Sequence, residues 1–261
     1  MNILFIGEIV GQRGLELVTG RLPELKKSEN IDFVIANGNK IDNGFAIVEP
    51  QADALCQAGV DVITLGDNCF KKKATVDYLE SAHAVIRPVN AFFGNPGKGY
   101  KISRTESGHD VCVISAFGRT NFKNPVLDNP FLTVNRIIKQ LEESVKVIVV
   151  DFQANASSEK LCMGFYLSGK VSAVIGTHFS VQTADLTVDE NGTAYISDIG
   201  MVGGKFSVCG YRPKDFIDSY LSGLFPRKKV DNSAYIFNSV LVEVDANTGR
   251  ALSARLINFE E

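Results

Sequence analysis

Short apolar runs recur through the first two thirds of the chain, and most of them end at Gly, Asn or Asp. They are rich in β-branched residues and too short to be helices that are apolar on every side. This pattern predicts buried β-strands. The runs are Ile3–Ile6, Phe33–Ala36, Val60–Leu65, Val111–Ser115, Val145–Val150 and Val171–Ile175.

Amphipathic stretches lie between these runs, with apolar residues recurring at the three- and four-residue spacing of a helix. Because predicted strands and helices alternate, the sequence favours a layered α/β fold. The predicted helices are Leu15–Leu22, Pro50–Ala58, Ala74–Ser81, Leu132–Glu143 and Ser157–Leu167.

The last third of the chain has a different pattern, because its apolar residues alternate with polar ones or flank turn dipeptides such as Asn191-Gly192. Such segments predict antiparallel hairpins. Together the two parts predict a sandwich of two mixed sheets flanked by helices. With no linker-like segment, residues 1–261 are expected to form a single domain. The predicted hairpin strands are Ala184–Val188, Gly192–Ile196, Tyr235–Val244 and Ala251–Ile257.

Composition narrows the functional classes. A formal charge of −3 gives no basic footprint for general nucleic-acid binding or for an anionic membrane. The basic clusters Lys71–Lys73 and Arg227–Lys229 are expected to be solvated faces. No signal peptide or membrane-spanning run is recognisable, so a cytoplasmic location is expected. Five scattered cysteines predict reduced thiols rather than disulfides or a zinc site.

A polar cluster follows each of five predicted strands, where open α/β sheets place their binding sites. These clusters could therefore converge on one cleft. They are Gly7-Glu8-Ile9-Val10-Gly11, Asn37-Gly38-Asn39-Lys40, Leu65-Gly66-Asp67-Asn68, Asp151-Phe152-Gln153-Ala154-Asn155 and Gly176-Thr177-His178-Phe179-Ser180.

The order and spacing of these clusters, with longer stretches such as NILFIGEIVG, AGVDVITLGDN and GTAYISDIGMVG, resemble the YmdB-type branch of the calcineurin-like metallophosphoesterases. The resemblance covers essentially the whole chain. It implies a bacterial protein with a four-layer α/β/β/α sandwich of two mixed sheets. It also implies a cleft that, in the family, holds two metal ions and hydrolyses cyclic-nucleotide phosphodiesters.

The same resemblance identifies the positions that would carry the chemistry, and most hold other residues than the family's. Of the usual ligand residues only His178 is retained, and the family's catalytic acid, a His, is replaced by Asn68. The family's fourth cluster also has a Glu at the position of Asn155. The former metal-ligand positions are Glu8, Asn39, Lys40, Asp67, Gln153, His178 and Ser180.

These replacements weaken metal binding for chemical reasons. Two divalent ions need anionic oxygens and neutral imidazoles, and the side chains of Gln153 and Ser180 are much weaker donors. An ammonium at Lys40 near a divalent ion would be repelled by roughly 7 kcal/mol at an effective dielectric constant of about 20. We therefore hypothesise that Lys40 pairs with Glu8 and Asp67, giving the cleft a positive charge in place of metal.

Two functions follow from the resemblance and its exceptions. The leading one is a pseudoenzyme with no expected cofactor and no assigned catalytic residue. It would bind a nucleotide-like or phosphate ligand in the cleft, or a protein partner such as an active paralogue or a second copy. The alternative is a phosphodiesterase for cyclic nucleotides or simple phosphodiesters with a reorganised metal site. That site would hold one weakly bound Mg, Mn or Ca ion through Glu8, Asp67 and His178, with help from Asn39.

Overall fold

The computed structural model describes residues 1–122, 127–141 and 144–261. Sixteen strands and six helices are found in this part of the chain. The strands are β1 Asn2–Ile6, β2 Glu8–Ile9, β3 Phe33–Asn37, β4 Val62–Thr64, β5 Val85–Ile86, β6 Tyr100–Arg104, β7 Asp110–Phe117, β8 Val147–Gln153, β9 Ala173–Thr177, β10 Thr187–Val188, β11 Ala194–Ile196, β12 Met201–Gly204, β13 Tyr235–Phe237, β14 Ser239–Val244, β15 Ala251–Leu256 and β16 Phe259–Glu260. The helices are α1 Gly11–Ser28, α2 Glu49–Ala58, α3 Lys73–Leu79, α4 Pro130–Leu141, α5 Ser157–Leu167 and α6 Pro213–Ser222.

Two six-stranded mixed sheets form the centre of the molecule. The first has the order β15-β14-β1-β3-β4-β5, and the second has the order β10-β11-β9-β8-β7-β6. In the first sheet β1, β3, β4 and β5 run parallel, whereas β14 and β15 are antiparallel to their neighbours. In the second, β7, β8, β9 and β11 run parallel. The carboxyl ends of the parallel strands therefore open on a common side, where the polar clusters follow.

The layers follow from which faces are apolar. Ile3 and Phe5 point from β1 into the core between the two sheets, and Val111 and Val113 meet them from β7. The other face of the first sheet packs on α1, α2 and α3, and the other face of the second packs on α4 and α5. Because both faces of each sheet are covered at its centre, central strands such as β3, β8 and β9 are buried along their whole length, whereas the edge strands β6 and β15 are partly exposed. The fold is thus the predicted four-layer α/β/β/α sandwich.

A third sheet, which the sequence did not predict, has the order β16-β13-β12-β2. It arises because two chain segments change sheets midway. The segment from Asn2 to Ile9 crosses at Gly7, and the segment from Tyr235 to Val244 crosses at Asn238, whose carbonyl accepts a hydrogen bond from the Gly7 N–H at 3.0 Å. A Cβ on Gly7 would lie 2.6 Å from the Gly200 carbonyl oxygen, so this crossing requires glycine.

Most predicted elements are confirmed, with shifted ends. The hairpin β10–β11 and the pair β14–β15 are antiparallel as expected, although Tyr235–Val244 is two strands rather than one. The predicted end of the fourth helix at Glu143 lies outside the described residues. Helix α6 was missed altogether. All five cysteines are free, as predicted, and no helix of the described ranges is long and apolar enough to cross a membrane.

Candidate functional site

The polar clusters lie where strands end. Asn39 and Lys40 follow β3, Asp67 follows β4, Gln153 ends β8, and His178 follows β9. Glu8 begins β2, directly after the sheet crossing at Gly7, and Ser180 lies two residues beyond His178. Side-chain hydrogen bonds join Lys40 to Glu8 and Ser180, and join Asp67 to Asn39 and Gln153, in one cleft between the two large sheets. His178 has no such bond within the described residues, but its imidazole interacts electrostatically with the carboxylates of Glu8 and Asp67.

A buried triad forms the first half of this cleft. The Lys40 ammonium lies 2.8 Å from Glu8 Oε2 and donates a second hydrogen bond, also of 2.8 Å, to Ser180 Oγ. Ser180 in turn donates to Glu8 Oε2 at 2.7 Å. All three residues are buried, with exposed fractions of 0% for Glu8, 8% for Lys40 and 1% for Ser180. The predicted pair of Lys40 and Glu8 is therefore confirmed.

The electrostatics of this pair follow from burial and proximity. Burial opposes the charged form of Glu8, but the Lys40 ammonium and the hydrogen bonds from Lys40 and Ser180 outweigh it, so the pKa of Glu8 is lowered. Burial likewise opposes the charge on Lys40, but the Glu8 carboxylate raises the pKa of Lys40 above its ordinary value. Both groups are therefore charged at neutral pH, and the ion pair is permanent.

Asp67 lies in the second half of the cleft and has other partners than predicted. Its carboxylate accepts hydrogen bonds from Asn39 Nδ2 at 2.9 Å and Gln153 Nε2 at 3.3 Å, and it pairs with Lys71 Nζ at 3.0 Å. The expected contact between Lys40 and Asp67 is wrong. Lys40 is held by Glu8 and Ser180, whereas Lys71, four residues after Asp67, neutralises it instead.

Asn68, at the position of the family's acid, links neighbouring segments. It donates from Nδ2 to the Asn39 carbonyl at 3.1 Å and accepts from Lys71 Nζ at 2.6 Å. Asn39 Oδ1 accepts the backbone N–H groups of Gly66 and Asn68, which ties the turn after β4 to the turn after β3. A carboxamide does not titrate in the range of general acid catalysis, so Asn68 cannot protonate a leaving group.

His178 and Ser180 belong to a loop with unusual backbone geometry. Their φ angles are 111° and 60°, in the region that non-glycine residues rarely adopt. The rings of Phe122 and Phe179 lie against the imidazole, with centroids 5.1 and 6.4 Å away. Burial lowers the pKa of His178, and the carboxylates of Glu8 and Asp67 only partly oppose this shift. His178 is therefore neutral at physiological pH.

A buried ion pair that the sequence analysis missed supports this loop. Lys160 Nζ donates to Asp198 Oδ2 and to the Thr177 carbonyl, both at 2.7 Å. Asp198 also accepts the Phe179 N–H at 2.8 Å, and the Lys160 ammonium lies 3.7 Å from the centre of the Phe179 ring. Phe179 thus packs against this ion pair. A lysine on the inward face of α5, the helix that precedes β9 and the loop, was the signal available.

Asp151 is a second buried acid that the analysis did not single out. It accepts hydrogen bonds from Asn37, Thr64 and Thr177. The first two residues end β3 and β4 of the first sheet, and the third ends β9 of the second sheet. Burial raises the pKa of Asp151 to about 6, despite these three donors. Polar residues at the ends of several otherwise apolar strands were the signal for this network.

The residues at the former ligand positions do not fit a two-metal centre. Only Glu8, Asp67 and His178 provide a carboxylate or imidazole, and the Lys40 ammonium lies between Glu8 and Ser180. Within the described ranges, no group of three or more His, Cys, Asp or Glu side chains is arranged to hold a metal ion. Two buried polar atoms of the cleft, Glu8 Oε1 and His178 Nδ1, have no hydrogen-bond partner.

The basic clusters are more engaged than predicted. Lys71 pairs with Asp67, and Lys72 pairs with Asp42. In the second cluster, Arg227 lies over the ring of Phe45, and Lys228 lies over two phenylalanine rings. Four of the six residues are exposed, as expected of solvated faces, whereas Lys72 and Lys228 are half-buried. The first reaches the cleft through Lys71, and the second borders the loop after Lys40 through its contact with Phe45.

Comparison with known proteins supports the interpretation of the fold and the family. The sequence profile described as YmdB-like protein matches residues 4–257. The chain belongs to this family. It is 36% identical to the 2′,3′-cyclic-nucleotide 2′-phosphodiesterase of Bacillus subtilis over 98% of this chain and 96% of the relative.

Two solved structures agree with the whole fold. A hypothetical protein from Thermus thermophilus matches with a TM-score of 0.92 and 31% identity over 100% of both chains. A phosphatase from Mycoplasma pneumoniae matches with a TM-score of 0.92 and 28% identity, over 100% of this chain and 93% of that one. The chain is therefore a homologue of phosphodiesterases and phosphatases in the metallophosphoesterase branch.

Proposed function

We propose that this protein binds the phosphate of a nucleotide-like ligand in the cleft without a two-metal centre and without phosphodiester turnover. The observation that carries the proposal is the position of Lys40, whose ammonium lies 2.8 Å from both Glu8 Oε2 and Ser180 Oγ. A permanent cation then stands among positions that hold metal ions in related enzymes. The same charge that would repel a divalent ion attracts an anion.

The donors of the cleft support a phosphate as the ligand. An ammonium has three N–H donors, and Lys40 uses two of them on Glu8 and Ser180, which leaves the third for a ligand oxygen. His178 Nδ1 is a further polar atom without a partner. Lys71, with a side chain 49% exposed, adds positive charge at the rim. The nucleotide-like class is taken from the name of the Bacillus subtilis relative.

Absence of turnover is proposed from the chemistry of the residues present. Hydrolysis of a phosphodiester needs an activated water and an acid for the leaving oxygen. Asn68 cannot supply the proton. Because the pKa of His178 is lowered, its imidazole is already deprotonated at neutral pH and has no imidazolium proton to give as an acid. A ligand would therefore be held and released unchanged.

Calorimetric titration with 2′,3′-cyclic AMP in the presence of EDTA tests this proposal. We expect saturable binding, weakened about 10- to 100-fold in Lys40→Met because one charge-assisted hydrogen bond is lost. Lys40→Arg keeps the charge and should retain more affinity than Lys40→Met. Lys73→Met, the same substitution at an exposed lysine, is the matched control. Absence of binding to the folded wild-type protein in EDTA would refute the proposal.

A second candidate is a metal-dependent phosphodiesterase with a reorganised site. The names of the Bacillus subtilis and Mycoplasma pneumoniae relatives favour this candidate over the first, and no comparison bears on loss of the metal centre. The partnerless atoms Glu8 Oε1 and His178 Nδ1 are its structural support. It requires Lys40 to leave Glu8. Turnover of 2′,3′-cyclic AMP that rises with added manganese and is lost in His178→Ala would establish it.

A further inference from the structure

Helix α6 presents its apolar side to solvent. Ile217, Tyr220 and Leu221 recur at the spacing of one helical face, with exposed fractions of 55%, 74% and 82%. Leu224, just beyond the end of the helix at Ser222, is 71% exposed. Ser219, a polar residue, is the buried one. Phe216 is half-buried, but the other apolar side chains of the helix are uncovered, and contiguous exposed apolar patches usually mark an interaction site.

Positive charge follows directly after this apolar side. Phe225 is 67% exposed, and Arg227, Lys228 and Lys229 come next in the chain. Lys228 Nζ lies 5.5 Å from the centre of the Phe225 ring, so charge and apolar surface are interleaved. We call residues 213–229 the basic apolar segment. It contains one lysine and two aspartates in its helix and three cationic residues beyond it, so its formal charge is positive.

A second surface has the complementary character. The outer side of α5 and the β10–β11 hairpin enclose a groove of about 440 Å³. Leu161 and Phe165 contribute apolar surface and are 42% and 80% exposed. Carboxylates stand around this apolar surface. We call this feature the acidic groove; it is lined by Leu161, Phe165, Tyr195, Asp185, Asp189 and Glu190.

We propose that the basic apolar segment of one copy of this protein docks into the acidic groove of a second copy. The two surfaces are complementary. Both expose apolar side chains, and these are bordered by positive charge on the basic apolar segment and by negative charge at the acidic groove. Pairing of the segment with itself would instead place Arg227 and Lys229 of two copies against each other. The contact is therefore heterologous, joining two different surfaces of identical chains. This inference does not depend on the proposed function.

Two surface variants, each disabling one side, provide the test. The segment variant combines Phe225→Ser with Arg227→Glu, and the groove variant combines Phe165→Ser with Glu190→Lys. The exposed Lys27 carries the matched charge reversal Lys27→Glu as a control. Sedimentation velocity over a wide concentration range measures the mass of each protein, starting from a chain of 28.4 kDa. Circular dichroism melting checks that every variant is folded.

We expect wild type and Lys27→Glu to associate, less so at high salt, and each double variant alone to remain monomeric. An equimolar mixture of the two variants should form a heterodimer and stop there, because one intact segment and one intact groove remain. A monomeric wild type, unimpaired association of either variant, or a mixture that stays monomeric would overturn the proposal. So would binding of monomeric wild type to anionic phospholipid vesicles that the groove variant leaves unchanged.

Discussion

At the scale of single residues, the proposal that the cleft works without metal depends on Lys40. Its ammonium neutralises a carboxylate that is buried completely, and Ser180 completes the geometry with two short hydrogen bonds. Sequence reasoning could predict the pair with Glu8, since both residues stand at positions that meet in the family. The sequence could not predict that Lys71 forms the ion pair with Asp67, because whether a lysine reaches across a turn depends on backbone geometry.

Removal of the Lys40 charge should destabilise the fold. In Lys40→Met the Glu8 carboxylate stays buried without its cation, and breaking such a pair costs about 3–5 kcal/mol of unfolding free energy. Lys73→Met, at an exposed position, should change it by less than about 0.5 kcal/mol. Urea unfolding at pH 7 measures both values. A Lys40→Met protein as stable as wild type would mean that Glu8 is already neutral.

Asp151 should make stability depend on pH. Burial raises its folded-state pKa from 3.8 to about 6, so the folded protein binds a proton more tightly than the unfolded chain. Its favourable contribution is complete below about pH 4 and is lost as pH rises through about 6. The loss is on the order of 3 kcal/mol.

Urea unfolding of wild type and Asp151→Asn across this pH range isolates the contribution of Asp151. The stability difference, wild type minus variant, should fall between about pH 4 and pH 6 and level off above that. The variant does not titrate at this position, so effects of other groups cancel in the difference. Two curves that run parallel over the whole range would contradict the assignment.

At the scale of elements, the loop after β9 is held in place by a buried ion pair packed against it. His178 and Ser180 adopt positive φ angles, and the pair of Lys160 on α5 with Asp198 holds the intervening Phe179. The sequence identified the loop and α5 separately. It could not show that Lys160 turns inward, since most lysines on an amphipathic helix are solvated.

A double-mutant cycle tests this support. Lys160→Met alone should destabilise the protein by about 3–5 kcal/mol, because Asp198 is left buried and unpaired. Combination with Asp198→Asn removes that charge, so the double variant should be more stable than the sum of the single losses by about 1–3 kcal/mol. Thermal unfolding of the four proteins gives the coupling. Strict additivity would show that the two side chains do not act together.

At the scale of the whole molecule, the fold was largely predictable and the third sheet was not. Buried parallel strands and amphipathic helices carry strong local patterns. The third sheet instead depends on crossings at Gly7 and Asn238. At each crossing, one strand-like stretch of sequence is divided between two sheets. Helix α6 was missed for a related reason, since most of its apolar residues are uncovered and its buried residue is a serine.

The proposal also predicts that the retained fold can bind manganese once the cleft carries the family's side chains. Replacement of seven divergent cleft positions, all except Asn155, by the family's residues should give manganese binding, because the fold that carries them matches solved relatives with a TM-score of 0.92. The set is Glu8→Asp, Asn39→Glu, Lys40→Asn, Asp67→Asn, Asn68→His, Gln153→His and Ser180→His. Metal analysis after dialysis against manganese measures the outcome. A folded sevenfold variant that binds no manganese would place the divergence beyond these side chains.

In the proposed site, the Lys40 cation takes the place of a two-metal centre. The decisive measurement is the metal content of the purified protein after dialysis against manganese, magnesium and zinc, with turnover of 2′,3′-cyclic AMP assayed on the same samples. We expect no stoichiometric metal and no turnover. Bound metal together with turnover that His178→Ala abolishes would contradict the proposal and would establish this protein as a metal-dependent phosphodiesterase.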